Sequence, residues 1–286
     1  MTGTSQRAAR TMRRAAPECG EVTADGHLAG LVSTIEREII PRLVLAHRGG
    51  RPVQPATADG AAELGAAQVA EVCALLVGDD LAALLAYVQR LRERGTALER
   101  IYLDLFAPAA RRLGELWLAD ECDFTTVTLG LWRLHQALHE LSPSFQFDSA
   151  STGDGRRVLL AATPGEQHTF GLFMVAEFFR RAGWEVFDGP SLSAAELAEA
   201  VRHDWFTLAG FSLSGDGHVD RLAALIRDVR RASRNRAIGI IVGGVVFAEH
   251  PELVAVVGAD SIARDGREAV ALADSMLAER AQRRAG

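Results

Sequence analysis

The hydrophobic pattern divides the chain into two stretches. From Asp25 to about Phe147 the apolar positions recur at steps of three and four, the period of a helix with one face turned to a core. Leu28, Leu31, Ile35 and Ile39 form the first such stripe, which Pro41 should kink or end because it removes a backbone donor. After the polar stretch RGGRPVQPATADG, one helix is expected from about Ala61 to Val77. A second carries Leu81, Leu84, Leu85, Val88 and Leu91 on one face. The next should open on Thr96 and Glu99, at the spacing of a capping box, and pass Pro108 towards Trp117. In the last, Phe124, Val127, Leu131, Leu134, Leu138 and Leu141 make the seam of a helix packed lengthwise in a bundle.

Past SASTGDGRR the pattern changes. VLLAAT is a short apolar run without alternation, as expected of a parallel strand covered on both faces. A helix from about Gly171 to Ala182, the strand WEVFDG, and a helix capped by Ser193 and Glu196 follow. Next come the strand FTLAGFSLS, a helix from about Val219 to Ala232, the strand AIGIIVGG, the short helical PELVAVVG, the strand DSIAR and a C-terminal helix. Strands alternating with helices predict an α/β fold over residues 154–286, a flavodoxin-like five-stranded parallel sheet in the order 2-1-3-4-5. An all-α helical bundle over residues 25–148 precedes it, after a flexible basic arm over residues 1–24. In such a sheet, ligands bind outside the carboxyl ends of the strands.

Composition narrows the class. Of 286 residues, 48% are hydrophobic and 24% charged, which suits a soluble globular chain. No uncharged apolar run reaches the roughly 18 residues that a membrane span needs. The N-terminal arginines 7, 10, 13 and 14 are not followed by the apolar stretch of a secretory signal, so a cytoplasmic address is expected. Cys19, Cys73 and Cys122 are widely spaced and form no CxxC pair, so they read as reduced thiols. A net charge of -6 argues against strong direct binding to nucleic acid.

The candidate chemistry is in three loops at the carboxyl edge: Glu166 to Gly171, Ser212 to Gly217, and Gly243 with Gly244. The expected strand order makes them neighbours, so one ligand could touch all three. His168 could be a solvated loop residue, a helix-start residue, a core packer or a metal ligand. A neutral imidazole ligates metals well, and a carboxylate on its remote nitrogen fixes the ring, a part open to Glu166. His135 and His139 are four apart on a helix but have no evident third ligand, so a solvated face is expected there. The Glu249, His250 and Glu252 group reads as the polar start of a short helix. GxGxxG and GxxxxGK[ST] are absent, and no GxSxG surrounds Ser212 or Ser214. No catalytic group stands out, and a non-enzyme is expected.

The segments from Glu166 to Gly171, Gly210 to Ser214, and Gly243 to Gly244 resemble the Asp-x-His-x-x-Gly, Ser-x-Leu and Gly-Gly signatures of the cobalamin-binding module. LGELWLADECDFTT, residues 113–126, looks like the entry to the last helix of the bundle that covers the cofactor in many such proteins. More narrowly, TIEREIIPRLVLAHR together with PGEQHTFGLFMVAEFFRRAGWEV is similar to the AerR/PpaA family of photosynthesis regulators in purple bacteria. Members of that family bind a tetrapyrrole and act on a DNA-binding repressor of the CrtJ/PpsR type.

The resemblance implies that His168 is the lower ligand of cobalt, with Glu166 behind it. Gly171, Ser212, Ser214, Gly243 and Gly244 would line the path of the displaced cofactor tail, and Trp117 would form a lid. Two positions depart from the pattern: Glu166 replaces aspartate and Ser214 replaces leucine. Adenosylcobalamin photoreceptors of the CarH kind follow their tryptophan with Glu-His, whereas the positions after Trp117 are Val127 and Thr128. A hydroxo or aquo form of cobalamin is therefore expected over the adenosyl form. The implied function is a light-responsive antirepressor acting through a CrtJ/PpsR-type repressor. A corrinoid carrier subunit of a methyltransferase and a haem-binding redox sensor stay open as alternatives.

Overall fold

The computed structural model describes residues 64–78, 80–147, 155–166, 168–189 and 192–285. The expected basic arm, the helical stripe through Ile39, Pro41, and Cys19 lie outside the described residues. Helix α1 (Ala66–Val77) is followed by α2 (Leu81–Glu93), which is capped by Asp80, whose carboxylate accepts the Ala83 N–H at 2.7 Å. The short α3 (Leu98–Arg100) runs into a π-helical stretch, Ile101–Phe106, and then into α4 (Ala107–Leu118). The wide turn precedes Pro108, which has no N–H to bond the carbonyl four residues back. Helix α5 (Phe124–Phe147) begins where Asp123 accepts the Thr126 N–H at 2.7 Å.

One expectation for the bundle fails. The cap of α3 is Ala97, without a side-chain bond, and Thr96 Oγ1 is buried with no partner among the described residues. Glu99 turns instead to the sheet domain, where it pairs with Arg181 at 3.5 Å and with Arg267. Two guanidinium groups on neighbouring elements attract the carboxylate more strongly than one backbone N–H can.

In the bundle core Leu76, Leu84, Tyr102, Phe106, Leu113 and Phe145 are fully buried. Each such side chain contributes about 1.5–3 kcal/mol by leaving water. Gly130 lets α5 approach α4 closely, since an added Cβ would lie 3.1 Å from the Leu113 side chain.

The second half alternates as expected, in the order β1 (Arg157–Ala162), α6 (Phe170–Arg181), β2 (Glu185–Asp188), α7 (Ala194–His203), β3 (Leu208–Ser212) and α8 (Val219–Ala232). It ends with β4 (Gly239–Gly243), α9 (Val245–Glu249), α10 (Leu253–Val257), β5 (Ser261–Ala263) and α11 (Gly266–Ala285). The five strands are parallel in the order β2-β1-β3-β4-β5, the flavodoxin-like arrangement. Ser193 and Glu196 form the expected capping box. Helix α9 was not expected.

Helices α7 and α8 cover one face of the sheet through Leu197, Val201, Leu222 and Ile226, while α6 and α11 cover the other. The bundle then packs on α6, whose Met174 and Phe178 belong to the bundle core. The rings of Phe145 and Phe178 lie 5.1 Å apart, and Arg181 sits 4.6 Å over Phe145. Register decides what happens at the edge. Ala162 is opposite Ser212, and Ser212 is opposite Gly243, so three strands end in line and their loops adjoin.

Candidate functional site

The loop after β1 is stapled to the end of β3. Thr163 donates both its N–H and its hydroxyl to the Ser212 carbonyl, at 3.0 and 2.9 Å. The Glu166 N–H then returns to the Thr163 carbonyl at 2.7 Å through Gly165, whose φ of +91° suits glycine. This turn drives the Glu166 carboxylate inward, to 4% side-chain exposure. Its Oε1 accepts the His168 N–H at 3.0 Å and lies 2.5 Å from His168 Nδ1. Its Oε2 accepts the Ser214 N–H at 2.7 Å.

Burial alone would push the Glu166 carboxyl up, but the hydrogen bond and charge of His168, with the backbone donors of His168 and Ser214, outweigh it and hold the group at about 2. An ionised carboxylate accepts only, so the proton of a neutral His168 ring belongs on Nδ1. Nε2 then presents a lone pair. That atom is buried and has no hydrogen-bond partner among the described residues. A buried acceptor left unpaired costs roughly 1–3 kcal/mol, and a ligand that used it would remove the penalty. Ser212 Oγ, at the neighbouring strand end, is likewise buried without a partner.

The glycines fall into two groups. Gly244 has φ +109°, and an added Cβ would lie 2.1 Å from the Leu213 carbonyl oxygen. A Cβ on Gly243 would lie 2.8 Å from the Ala263 carbonyl oxygen. Both are therefore demanded by the protein's own backbone, whatever else passes nearby. Gly171, by contrast, is exposed at the start of α6, and a Cβ there would meet nothing within 4 Å. Gly215 and Gly217 are equally open. Nothing within the fold explains the missing side chain at Gly171, three residues from His168.

Residues 156–273 match the family described as the B12 binding domain. The chain is also 32% identical over 159 residues to a Rhodobacter capsulatus protein described as an uncharacterized 20.5 kDa protein in the bchF-crtJ intergenic region, covering 55% of this chain and 81% of that relative. The chain is an AerR-like member of the B12-binding family. Its fold is also that of the monomethylamine corrinoid protein of Methanosarcina barkeri, with a TM-score of 0.60 at 14% identity, covering 71% of this chain and 95% of the other.

The residues present in this B12-binding chain suit a corrinoid. An imidazole with its far nitrogen anchored and its near nitrogen unpaired is the donor that cobalt requires, and the open ground at Gly171 leaves room beside it. Glu166, His168, Gly171, Ser212, Ser214, Gly243 and Gly244 gather at adjoining strand ends. Ser214 contributes its backbone N–H, which holds the carboxylate.

Trp117 lies near the end of α4. It is half-buried and packs against the bundle core. Of the two positions that follow it, Val127 is buried in the core and Thr128 is exposed.

His135 corrects the sequence reading. Its ring packs edge-on against Phe170 at 5.0 Å and Phe173 at 4.9 Å, so it belongs to the contact between bundle and sheet domain and not to a solvated face. Burial lowers its pKa below the ordinary value. His139, one turn on, is exposed. Among the described residues no group of three or more His, Cys, Asp or Glu side chains could hold a metal ion. The pair Phe170 and Phe173, three apart on α6, was the signal for a contact with His135. It was hidden because an inward stripe does not say which helix it meets. Among the described residues, no helix is long and apolar enough to cross a membrane.

Proposed function

We propose that this chain is a cobalamin-holding, light-responsive regulator that relieves a CrtJ/PpsR-type repressor of photosynthesis genes, and that it has no catalytic function of its own. The observation that carries the cofactor half is His168 Nε2, a buried lone pair with no partner among the described residues, on a ring fixed by Glu166. The regulatory half is supported by the related Rhodobacter capsulatus protein, described by its place between bchF and crtJ.

In this reading His168 holds cobalt from below and Glu166 keeps the Nδ1 proton and the ring orientation. Ser212 Oγ is available to the cofactor tail, and Gly171 leaves the tail a path past the start of α6. Bound cobalamin would supply a light-absorbing centre with an exchangeable upper ligand, the hydroxo or aquo form being favoured over adenosyl. The chain's own part is to convert a change at that centre into a shift of the bundle against α6, through the contact that His135, Phe170 and Phe173 make. The partner then reads a changed surface.

The test is the visible spectrum of the protein after gel filtration with hydroxocobalamin and, separately, haemin, in the dark and after illumination, with His168→Ala alongside. Cobalamin retention that depends on His168, followed by light-dependent binding to the repressor, is the expected result. Retention of haemin alone would favour the haem sensor. A regulatory effect that persists without the repressor would sink the antirepressor reading. The shared fold with a methylamine corrinoid protein supports one other reading, a corrinoid carrier subunit of a methyltransferase. Rapid cobalt methylation by a cognate methyl donor, with onward transfer, would decide for it.

A further inference from the structure

The first half of α5 extends beyond the start of α6. His135 packs on Phe170 and Phe173, and further along both helices Phe145 packs on Phe178, so α5 and α6 run in the same direction. Helix α6 begins at Phe170, whereas α5 begins at Phe124, well before His135. Residues 124–134 therefore continue past the start of α6 by about 16 Å at 1.5 Å per residue, at the end where the loop of His168 enters that helix. Side chains at offsets of three and seven from His135 share its side of the helix. Those are Trp132 and Thr128; Leu131, at offset four, shares that side too but packs on the bundle core. Val127 and Gly130 turn the other way, into the bundle core.

Trp132 is 55% exposed, with Leu129 at 43% beside it and Leu118 at 37% on the end of α4. A large indole left in water on this extension of α5 has a natural occupant if the cofactor is held at the nearby strand ends. The face of a corrin ring is flat and largely apolar, and an aromatic side chain covers such a surface well. We propose that Trp132, and not Trp117, covers the outer face of the cobalamin held by His168, with Thr128 and Leu129 completing the cover. This rests on the cobalamin reading above. It also assigns that extension a purpose: the residue that meets the cofactor's upper side is one turn from His135, at the contact between bundle and sheet.

The experiment is oxidative labelling of the full chain, free and loaded with hydroxocobalamin, read at each tryptophan by mass spectrometry. Trp205, 47% exposed just before β3 and thus at the opposite edge of the sheet, is the internal control. Sites of this kind bury 70–90% of a ligand's surface, so Trp132 labelling should fall by about fivefold on loading while Trp205 stays unchanged. In parallel, Trp132→Ala should keep cobalamin through His168 yet let added cyanide exchange with the upper ligand several-fold faster, and Trp117→Phe should not. Unchanged Trp132 labelling in a protein that retains cobalamin through His168 overturns the assignment and leaves the cobalamin reading standing. Equal slowing at Trp132 and Trp205 also overturns it, since a cover at one site cannot protect both edges. If no cobalamin is retained, both readings fall together.

Discussion

Replacing Glu166 by glutamine tests the centre of the argument. Three donors converge on this side chain: the His168 N–H, His168 Nδ1 and the Ser214 N–H. A carboxylate accepts from all three. An amide has one accepting oxygen and one donating nitrogen, so two arrangements are open to it. With the oxygen towards His168, the amide nitrogen faces the Ser214 N–H and a buried donor is left unpaired, at about 1–3 kcal/mol. With the oxygen towards Ser214, the amide nitrogen faces Nδ1, which can accept only if the ring proton moves to Nε2. That tautomer removes the lone pair the metal would use.

Loss of such a supporting carboxylate lowers metal affinity by about 10- to 100-fold, or roughly 1.4–2.8 kcal/mol. The assay is titration with hydroxocobalamin followed by the visible spectrum. Glu166→Asp should lose less, because it keeps the charge but is shorter by one bond of about 1.5 Å and cannot span both His168 and Ser214. A glutamine variant that binds within about threefold of wild type, in a protein where His168→Ala does not bind, would refute the reasoning.

The same substitution should be felt without cofactor. The folded state holds the Glu166 pKa below its ordinary 4.5, at about 2, so the ionised group stabilises the fold at pH values above its unfolded pKa. That contribution is lost as pH falls from 4.5 towards about 2. The difference in urea midpoint between wild type and Glu166→Gln should therefore be largest near neutrality and narrow across that window.

Three further outcomes follow. Gly171→Ala should stabilise the cofactor-free protein by up to about 1 kcal/mol, because the new Cβ has open space and alanine favours a helix, while cobalamin retention falls; thermal melts and gel filtration check the two halves. Gly244→Ala should do the reverse of the first half and lower stability by more than about 2 kcal/mol, since its Cβ would sit 2.1 Å from the Leu213 carbonyl oxygen at φ +109°; an unchanged urea midpoint would contradict it. His135 has a lowered pKa in the folded state, so the unfolded chain binds the extra proton first, and stability should fall as pH drops below 6.5 and be flat above it. Urea midpoints at successive pH values should show that slope in wild type and lose it in His135→Phe.

What the sequence disclosed depended on whether a feature is local. Strand order was legible because short apolar runs alternate with helical stripes and parallel crossovers leave few topologies. The pairing of Glu166 with His168 was legible too, since two residues of one tight turn must be close wherever the turn lies. Thr96 and Glu99 misled for the opposite reason. Their spacing fits a cap, but Arg181 and Arg267 approach Glu99 from elements far along the chain.

The proposed lid is the least legible part. Trp117 is marked by its place in a motif, and in the fold it is half-buried against the bundle core. Trp132 breaks the inward stripe of Leu131 and Leu134, so by periodicity alone it is one more surface residue. Its meaning comes from the offset between two parallel helices, which His135 fixes by resting on Phe170 and Phe173. A shift of α5 along α6 by one turn, about 5.4 Å, would carry Trp132 away from the loop of His168 while leaving both helices intact. In the proposed arrangement the site is divided between two elements, and a cofactor held from below by one and covered from above by the other would report on their relative position.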